Sequence, residues 1–274
     1  MKSIIKKILY WIVALTSSAA AQDAIPPAES GAEHALNTSP RHGEWVDIPV
    51  EGDSIPLRTW VVYPERSDKA PVIIVIHEIY GLSDWIRSVT DQLAKEGYIA
   101  IAPDFISGMG PNGGGTASMP DRDAVVGAIR GLSAEETYRR ANAALTYAAT
   151  IPSANGTFAS VGFCWGGTRS FGYACAQPKL SAAVVYYGTS PSSEDLSKLT
   201  VPVLGLYGAD DARVVSTVAP ADAELKKLGK SYEYELFKGA GHGFLRQQDA
   251  RDGANLAAAK QAWKRMLGFL QKHF

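Results

Sequence analysis

One run of five β-branched residues, Val72–Ile76, constrains the fold of this 274-residue chain more than any other segment. A strand that faces water on one side alternates apolar and polar residues, whereas this run has no polar interruption. The pattern predicts a central parallel strand that is covered by helices on both faces. An amphipathic helix is predicted next, over 83–96, with Gly97 as its stop, and a second strand over 98–102. Together these segments make one βαβ unit.

The same alternation of strand and helix patterns continues from residue 44 to residue 274. An opening hairpin is predicted over 45–50 and 57–63. Further strands are predicted over 158–163, 182–187, 201–207 and 232–237, and further helices over 134–149, from 165, over 218–228 and over 255–272. This series predicts a single doubly wound α/β domain over 44–274, with a mostly parallel sheet and helices on both faces.

The alternation is interrupted between residues 105 and 132. The segment contains Pro111-Asn112-Gly113-Gly114-Gly115, which is too irregular for a helix that covers the sheet. It is also too long for a tight turn, and loops of this length are often functional. We expect it to cover the rim where the strands end.

The N-terminal 43 residues precede this domain. Residues 1–21 have the layout of a secretory signal peptide, with a lysine-rich head, an apolar run over 8–15 and small residues up to Ala21. An uncleaved membrane anchor is the alternative, but a bilayer span needs about 20 apolar residues. We therefore expect cleavage, no stable membrane span afterwards, and a secreted protein in a bacterial periplasm. Residues 22–43 are predicted to be a flexible leader that contributes no core.

Composition excludes several classes of protein. The chain is 46% hydrophobic and has a net charge of −1, whereas disordered proteins have lower hydrophobicity and a larger net charge. Its two cysteines are too few for a disulfide scaffold. Removing residues 1–21 takes away three lysines and gives the mature protein a charge of −4. No segment dense in Lys or Arg interrupts the domain, so we expect no nucleic-acid partner.

The segment Gly162-Phe163-Cys164-Trp165-Gly166 lies where a predicted strand ends and a helix begins. A nucleophile elbow needs small residues two positions before and after the nucleophile, because the backbone turns tightly there. The N-terminus of the following helix is also expected to favour a thiolate. We interpret Cys164 as a nucleophile; the alternative is a structural cysteine at a crowded junction. Cys175 is expected to be a small core residue.

A thiol nucleophile needs a base, and the base needs a carboxylate that orients it. Asp210 and Asp211 follow one predicted strand, and His242 lies in the glycine-rich loop after the next. Parallel strands end on one rim of a sheet, so these residues can converge on Cys164. His77 is the other plausible base, but His242 has the better position.

The segment His77-Glu78-Ile79-Tyr80-Gly81 directly follows the central strand. In this fold the loop supplies one N–H group of an oxyanion hole and the residue after the nucleophile supplies the other, so Ile79 and Trp165 are the candidates. Glu78 is unexpected there, because its charge would repel an oxyanion unless it is turned elsewhere or protonated. The zinc motif H-E-x-x-H is not completed, because Gly81 stands at the second histidine position. We expect no metal and no cofactor.

These features together resemble the dienelactone hydrolase family of α/β-hydrolases, which cleave the enol-lactone carboxymethylenebutenolide. The resemblance extends over most of residues 45–273, although the characterised members are largely cytoplasmic and lack a secretory leader. It rests on five segments: His77-Glu78-Ile79-Tyr80-Gly81-Leu82, Ala102-Pro103-Asp104-Phe105, Gly162-Phe163-Cys164-Trp165-Gly166-Gly167, Tyr207-Gly208-Ala209-Asp210-Asp211 and Ala240-Gly241-His242-Gly243-Phe244-Leu245-Arg246.

The resemblance implies a role for each matching position of this chain. In the family the aspartate stands three residues after the glycine that ends this strand. Asp211 is three residues after Gly208, so the resemblance favours Asp211 over Asp210. The implied roles are Cys164 as nucleophile, His242 as base, Asp211 as the partner of the base, Glu78 as the carboxylate that holds the resting thiol, and Arg246, with Arg122 near the position of the second arginine, as the clasp of a substrate carboxylate.

We therefore expect hydrolysis of an activated ester or enol-lactone, one that bears a carboxylate, through a Cys-His-Asp triad and a thioester acyl-enzyme. A thiolate leaves a tetrahedral intermediate more readily than an alkoxide, so the chemistry favours esters of enols or phenols. The expected partner is a small ester or lactone, and the expected state is a monomer.

Two alternatives remain open at the level of sequence. One is a broad carboxylesterase or thioesterase of the cell envelope in which Arg246 is structural. The other is a binding or redox-sensing module with Cys164 and Cys175 as a thiol pair. Eleven helical residues extend ~16 Å, however, and bridged Cα atoms lie within ~7 Å, which argues against a disulfide.

Overall fold

Eight strands form one sheet within residues 25–274, the part of the chain that this computed structural model describes. Their order is β1-β2-β4-β3-β5-β6-β7-β8; β1 and β2 are antiparallel to their neighbours and the remaining strands are parallel. The strands are β1 (Gly43–Ile48), β2 (Leu57–Val62), β3 (Ala70–Ile76), β4 (Ile99–Pro103), β5 (Ala154–Phe163), β6 (Ala182–Tyr186), β7 (Val203–Gly208) and β8 (Tyr232–Phe237).

Helices cover both faces of this sheet. Those that pack on one face are α3, α4, α5 and α7, and those on the other are α1, α2 and α8. The helices are α1 (Ala32–Thr38), α2 (Asp84–Lys95), α3 (Arg122–Gly131), α4 (Ala134–Ala148), α5 (Trp165–Ala176), α6 (Ser193–Leu196), α7 (Ala212–Lys227) and α8 (Ala254–His273). This is the doubly wound α/β fold predicted from the sequence.

Strand β3 explains why the sheet needs helices on both sides. Val72, Ile74 and Ile76 point into one hydrophobic core, and Ile73 and Val75 point into the other. All five are fully buried. Burying each such side chain contributes about 1.5–3 kcal/mol, so leaving either face uncovered would remove several kcal/mol of stabilisation. The continuous apolar run was therefore a correct indicator of a central strand.

The prediction for helix α7 was wrong in its starting point. The sequence pattern placed the helix over 218–228, whereas α7 begins at Ala212. The cause is a cap: the side chain of Asp211 accepts a hydrogen bond from the N–H group of Val214 at 3.4 Å. This cap satisfies a free N–H group of the first turn and starts the helix directly after β7.

The segment between residues 105 and 132 contains a helix that the sequence analysis excluded. Helix α3 is capped by Asp121, whose carboxylate accepts from the N–H group of Ala124 at 2.8 Å. Val125 and Ile129, four residues apart on one face, are buried against the core. Two apolar positions are too few to give a clear helical period, which explains the error.

The first part of the same segment is a loop that lies over the carboxyl edge of the sheet, as predicted. Asp104, at the end of β4, accepts hydrogen bonds from the N–H and hydroxyl groups of Thr116, at 2.7 and 2.8 Å. The hydroxyl oxygen of Thr116 accepts in turn from the N–H group of Leu82 at 3.0 Å, in the segment that follows β3.

The N-terminal segment is folded onto the domain, which corrects the expectation that residues 22–43 contribute no core. Ala32 in α1 is 1% exposed and packs with α2 and α8. Farther along, Nε of Arg41 donates to Asp91 of α2 at 3.0 Å, and the hydroxyl of Ser39 donates to the same carboxylate at 2.6 Å. The compositional bias of this segment concealed these specific contacts.

The signal-peptide prediction concerns residues 1–21, which lie outside the described residues. Within residues 25–274, none of the helices combines the length and the apolar character that a bilayer crossing requires.

Candidate active site

Cys164 lies in a sharp turn between β5 and α5. Its backbone has φ 56° and ψ −115°, a left-handed conformation that is strained for a residue with a side chain. A Cβ atom on Gly162 would lie 1.9 Å from the carbonyl oxygen of Gly166, and one on Gly166 would lie 2.1 Å from that of Ile76. The two glycines are therefore required by close backbone contact, and the turn presents the thiol at the edge of the sheet.

Three side chains form a hydrogen-bonded chain at this edge. Nε2 of His242 lies 3.0 Å from Sγ of Cys164, and Nδ1 lies 2.6 Å from Oδ2 of Asp211. The neutral imidazole with its proton on Nδ1 satisfies both contacts, donating to the carboxylate and accepting from the thiol. The structure thus brings together the three residues that lie 47 and 31 positions apart in the sequence.

The two neighbouring aspartates occupy different environments. The side chain of Asp211 is 7% exposed and faces His242. Asp210 is 47% exposed and pairs with Arg251 at 2.8 Å. Asp211 also caps α7, so the helix and the imidazole fix its carboxylate together.

His77 has a structural position. Its ring is fully buried, donates from Nδ1 to the carbonyl oxygen of Glu78 at 2.9 Å and accepts at Nε2 from the N–H group of Phe105 at 3.1 Å. It also stacks on the ring of Trp165 with centroids 5.5 Å apart. Both nitrogens are occupied by the backbone, so His77 holds two active-site loops together. Within residues 25–274, no group of three or more His, Cys, Asp or Glu side chains is placed to hold a metal ion.

The environment of Cys164 acts on the pKa of its thiol in two directions. Burial, reinforced by the charge of Glu78, raises the pKa of the thiol above its usual value. Hydrogen bonds from the N–H groups of Trp165 and Ile79, and the charge of Arg213, act in the opposite direction without reversing the shift. Loss of water around the sulfur outweighs these effects, so the protonated thiol is favoured over the thiolate.

The backbone N–H groups of Ile79 and Trp165 both act on the thiol of Cys164 and lower its pKa. They belong to the two loops from which donors of an oxyanion hole were predicted. Both predicted donors therefore lie near the sulfur.

Glu78 is turned toward Arg246. Its side chain is 3% exposed, and Nε of Arg246 lies 3.0 Å from Oε1 and 3.2 Å from Oε2. Burial raises the pKa of Glu78 to about 7; Arg246 lowers it, and the charge of Glu29 raises it further. The resemblance implied a carboxylate that holds the resting thiol. The structure pairs Glu78 with Arg246, and the charge of Glu78 raises the pKa of the Cys164 thiol, which favours its protonated form.

The two arginines predicted to clasp a substrate carboxylate both lie over the ring of Tyr80. The guanidinium of Arg122 is 4.1 Å from the ring centroid and that of Arg246 is 5.1 Å from it. Both guanidiniums bind the carboxylate of Glu29. The sequence analysis missed Glu29, because it lies in a segment without periodicity, and assigned no role to Tyr80.

Tyr187 is a second residue that the sequence analysis missed. It follows β6, has φ 42° and is fully buried, with its ring 5.3 Å from that of His242 in an edge-to-face contact. Its hydroxyl has no hydrogen-bond partner among the described residues. A position at the carboxyl end of a parallel strand, on the same rim as Cys164, was the signal that could have indicated it.

Comparison with known proteins gives consistent matches. The model of the dienelactone hydrolase family matches residues 57–274. A Salmonella typhimurium protein named "Putative carboxymethylenebutenolidase" is 35% identical over 243 residues, 82% of this chain and 86% of that protein. A Bradyrhizobium protein named "Probable 2-oxo-3-(5-oxofuran-2-ylidene)propanoate lactonase" is 27% identical over 243 residues, 84% of this chain and 94% of that protein. The crystal structure titled "Putative Dienelactone Hydrolase" from Klebsiella pneumoniae superposes with a TM-score of 0.73 at 29% identity, covering 83% of this chain and 97% of that one.

Proposed function

The chain belongs to the dienelactone hydrolase family of carboxylic ester hydrolases, and we propose that it cleaves activated esters and enol-lactones with Cys164 as the nucleophile. The observation that carries this proposal is the continuous chain of hydrogen bonds from Asp211 to His242 and from His242 to Cys164, at 2.6 and 3.0 Å. Its order of nucleophile, base and carboxylate is that of nucleophilic acyl transfer.

The first half of the reaction is acylation of the thiol. Nε2 of His242 takes the proton from Sγ as the sulfur attacks the carbonyl carbon of the ester. The N–H groups of Ile79 and Trp165 hold the oxyanion, and the carboxylate of Asp211 stabilises the imidazolium. When the tetrahedral intermediate collapses, the C–O bond breaks and the enol or phenol oxygen leaves with the proton on His242. A thioester on Cys164 remains.

Hydrolysis of the thioester completes the cycle. His242 removes a proton from a water molecule, whose oxygen attacks the thioester carbonyl in the same oxyanion hole. Collapse of this second intermediate breaks the C–S bond. The carboxylic acid is released, and the sulfur recovers its proton from His242.

The nature of the nucleophile favours esters with good leaving groups. In the first intermediate the sulfur and the ester oxygen compete to leave, and a thiolate leaves more readily than a simple alkoxide. An enolate or phenolate competes better, so acylation proceeds. The lactone in the name of the Bradyrhizobium relative is an enol-lactone of this kind.

The expectation of a carboxylate on the substrate depended on two free arginines. In the structure Arg122 and Arg246 both bind Glu29, and Arg246 also binds Glu78. This arrangement favours the second candidate, a carboxylesterase that acts on uncharged activated esters. The proposed triad and the thioester step are the same for both.

The proposal is tested by the turnover of 4-nitrophenyl acetate and of an enol-lactone by two cysteine variants. Cys164→Ala is expected to abolish turnover of both, because it removes the attacking atom. Cys175→Ala is the matched control: Cys175 is buried in α5, and its variant should retain turnover. Folding of both variants is checked by thermal unfolding, and turnover by folded Cys164→Ala would refute the proposal.

We also propose a location in the bacterial periplasm. This proposal rests on the basic head, apolar run and small-residue exit of residues 1–21. N-terminal sequencing of the protein from the periplasmic fraction tests it, with Gln22 as the expected first residue. Recovery of the intact chain from the cytoplasm would contradict it.

A further inference from the structure

Glu29 occupies a site built from residues on two distant parts of the chain. Its Oε1 accepts a hydrogen bond from Nη2 of Arg122 at 2.5 Å, and its Oε2 accepts from Nη1 of Arg246. Both guanidinium groups also lie over the Tyr80 ring, 4.1 and 5.1 Å from its centroid. Two guanidiniums that converge on one carboxylate form an anion site, and here the protein itself supplies the anion.

The backbone around Glu29 is fixed in place. The N–H group of Glu29 donates to the carbonyl oxygen of Arg246 at 3.0 Å. Two nearby prolines are held as well: the side-chain amide of Gln248 donates to the carbonyl oxygen of Pro26 at 2.8 Å, and the indole N–H of Trp85 donates to that of Pro27 at 3.1 Å. Ala32, three residues later, is buried in the core. These contacts describe a fixed segment rather than a mobile lid.

Glu29 neutralises part of the positive charge of this cluster. Arg122 and Arg246 carry two positive charges, and Glu29 and Glu78 supply two carboxyl groups. Burial works against ionisation of Glu29, but the charges and hydrogen bonds of the two arginines outweigh it and hold its pKa below the usual value. Glu29 is therefore ionised at neutral pH and compensates one of the two positive charges, whereas Glu78, with a pKa of about 7, compensates the other only as the pH rises through that value.

The cluster adjoins the catalytic residues. Arg246 pairs with Glu78, and the charge of Glu78 acts on both Cys164 and Tyr187. The Glu29 side chain is 41% exposed, but its backbone is held, so a substrate carboxylate attracted to the arginines would have to compete with a carboxylate that this segment keeps beside them.

We infer that Glu29 is a specificity-determining residue that fills the anion site of Arg122 and Arg246, so that the enzyme prefers uncharged activated esters to carboxylate-bearing ones. This inference rests on the proposed ester hydrolysis and adds the charge class of the substrate. Removal of the Glu29 charge then opens the arginine pair to a substrate carboxylate.

The test compares mono-4-nitrophenyl fumarate, which carries a carboxylate, with its uncharged methyl ester, and follows the release of 4-nitrophenol from both. The measured quantity is the ratio of kcat/KM for the acidic ester to that for the uncharged one. The wild-type ratio is expected below one. Glu29→Gln keeps the shape of the side chain and should raise the ratio at least about tenfold, the effect of one charge-assisted hydrogen bond. Adding Arg122→Gln to Glu29→Gln should reverse most of this gain.

The matched control is Glu33→Gln, an exposed glutamate in the first turn of α1. It removes the same charge from the same segment and should leave the ratio unchanged. An equal rise in Glu33→Gln would show a general charge effect and would overturn the inference.

The failure of this inference is distinguishable from failure of the proposed function. If the uncharged ester is hydrolysed but the ratio in Glu29→Gln equals that of the wild type, Glu29 does not set the preference. If Glu29→Gln fails to fold, the wild-type ratio alone decides, since a value well above one would contradict a filled anion site. If neither ester is hydrolysed by the wild type, ester hydrolysis itself is refuted.

Discussion

At the scale of single residues, Cys164 combines a strained backbone with a protonated resting state. The flanking glycines permit the turn, and burial raises the pKa of the thiol despite two N–H donors and the helix N-terminus. The sequence predicted the turn from residue types alone. It could not predict the balance between burial and hydrogen bonding, because that balance depends on Glu78 and on loops distant in sequence.

The close packing of the elbow gives a first prediction. Gly162→Ala should destabilise the protein by about 3 kcal/mol or more, because its Cβ would lie 1.9 Å from the oxygen of Gly166. Gly127→Ala is the control: Gly127 is an exposed position of α3 with nothing within 4 Å of the added carbon. That change should stabilise the protein by about 0.5–1 kcal/mol through helix propensity. Urea unfolding measures both, and equal effects would contradict the packing argument.

The raised pKa of Glu78 gives a second prediction. Its value of about 7 lies above the ordinary 4.5, so the folded protein binds this proton more tightly than the unfolded chain does. The resulting stabilisation is fully present below pH 4.5 and is lost as the pH rises through 7. Gln cannot ionise, so the stability of Glu78→Gln relative to the wild type should increase by about 3 kcal/mol between pH 4.5 and pH 8.

Urea unfolding at both pH values measures this difference. A difference that stays constant with pH would show that Glu78 does not titrate in this range. The charged and titratable groups coupled to it are Arg246, Glu29, Arg122, Cys164 and Tyr187.

At the scale of the elements, the start of helix α7 and the carboxylate that binds His242 depend on the same residue. Asp211 caps the helix through Oδ1 and receives the His242 hydrogen bond at Oδ2. One side chain thus fixes where the helix begins and where the imidazole points.

These two functions of Asp211 are separable by substitution. Asn is as good an N-cap as Asp, so Asp211→Asn should change the free energy of unfolding by less than about 1 kcal/mol. It removes the charge that stabilises the imidazolium and should lower kcat between about 10²- and 10⁴-fold. Asp210→Asn, whose carboxylate forms only an exposed ion pair, should leave kcat nearly unchanged. An equal loss in both variants would contradict the assignment of Asp211.

Strands were predicted more accurately than helices, for a physical reason. The central strands β3, β4, β6 and β7 are buried on both faces and appear as continuous apolar runs, as Val72–Ile76 does. Helix α3 is anchored by only Val125 and Ile129, and α1 by Ala32, so neither has a periodic apolar face. Their positions are fixed by caps and tertiary contacts, which a local pattern does not contain.

At the scale of the whole molecule, the site is assembled at the carboxyl edge of the sheet from loops that follow β3, β5, β7 and β8. The rule that parallel strands end on one rim was sufficient to predict that Cys164, Asp211 and His242 meet. Glu29 lies at the same edge and binds Arg246, although the two residues are 217 positions apart in the sequence. No rule of strand order predicts this contact, because the N-terminal segment is attached by individual hydrogen bonds.

The central claim is that Cys164 carries the acyl group. The most direct test is an acid quench of the enzyme during turnover of 4-nitrophenyl acetate, followed by peptide mass spectrometry. We predict one acetyl group on the peptide that contains Cys164, and none on the peptide that contains the buried Cys175. Turnover that proceeds with Cys164 unmodified, with the acyl group on another side chain, would contradict it.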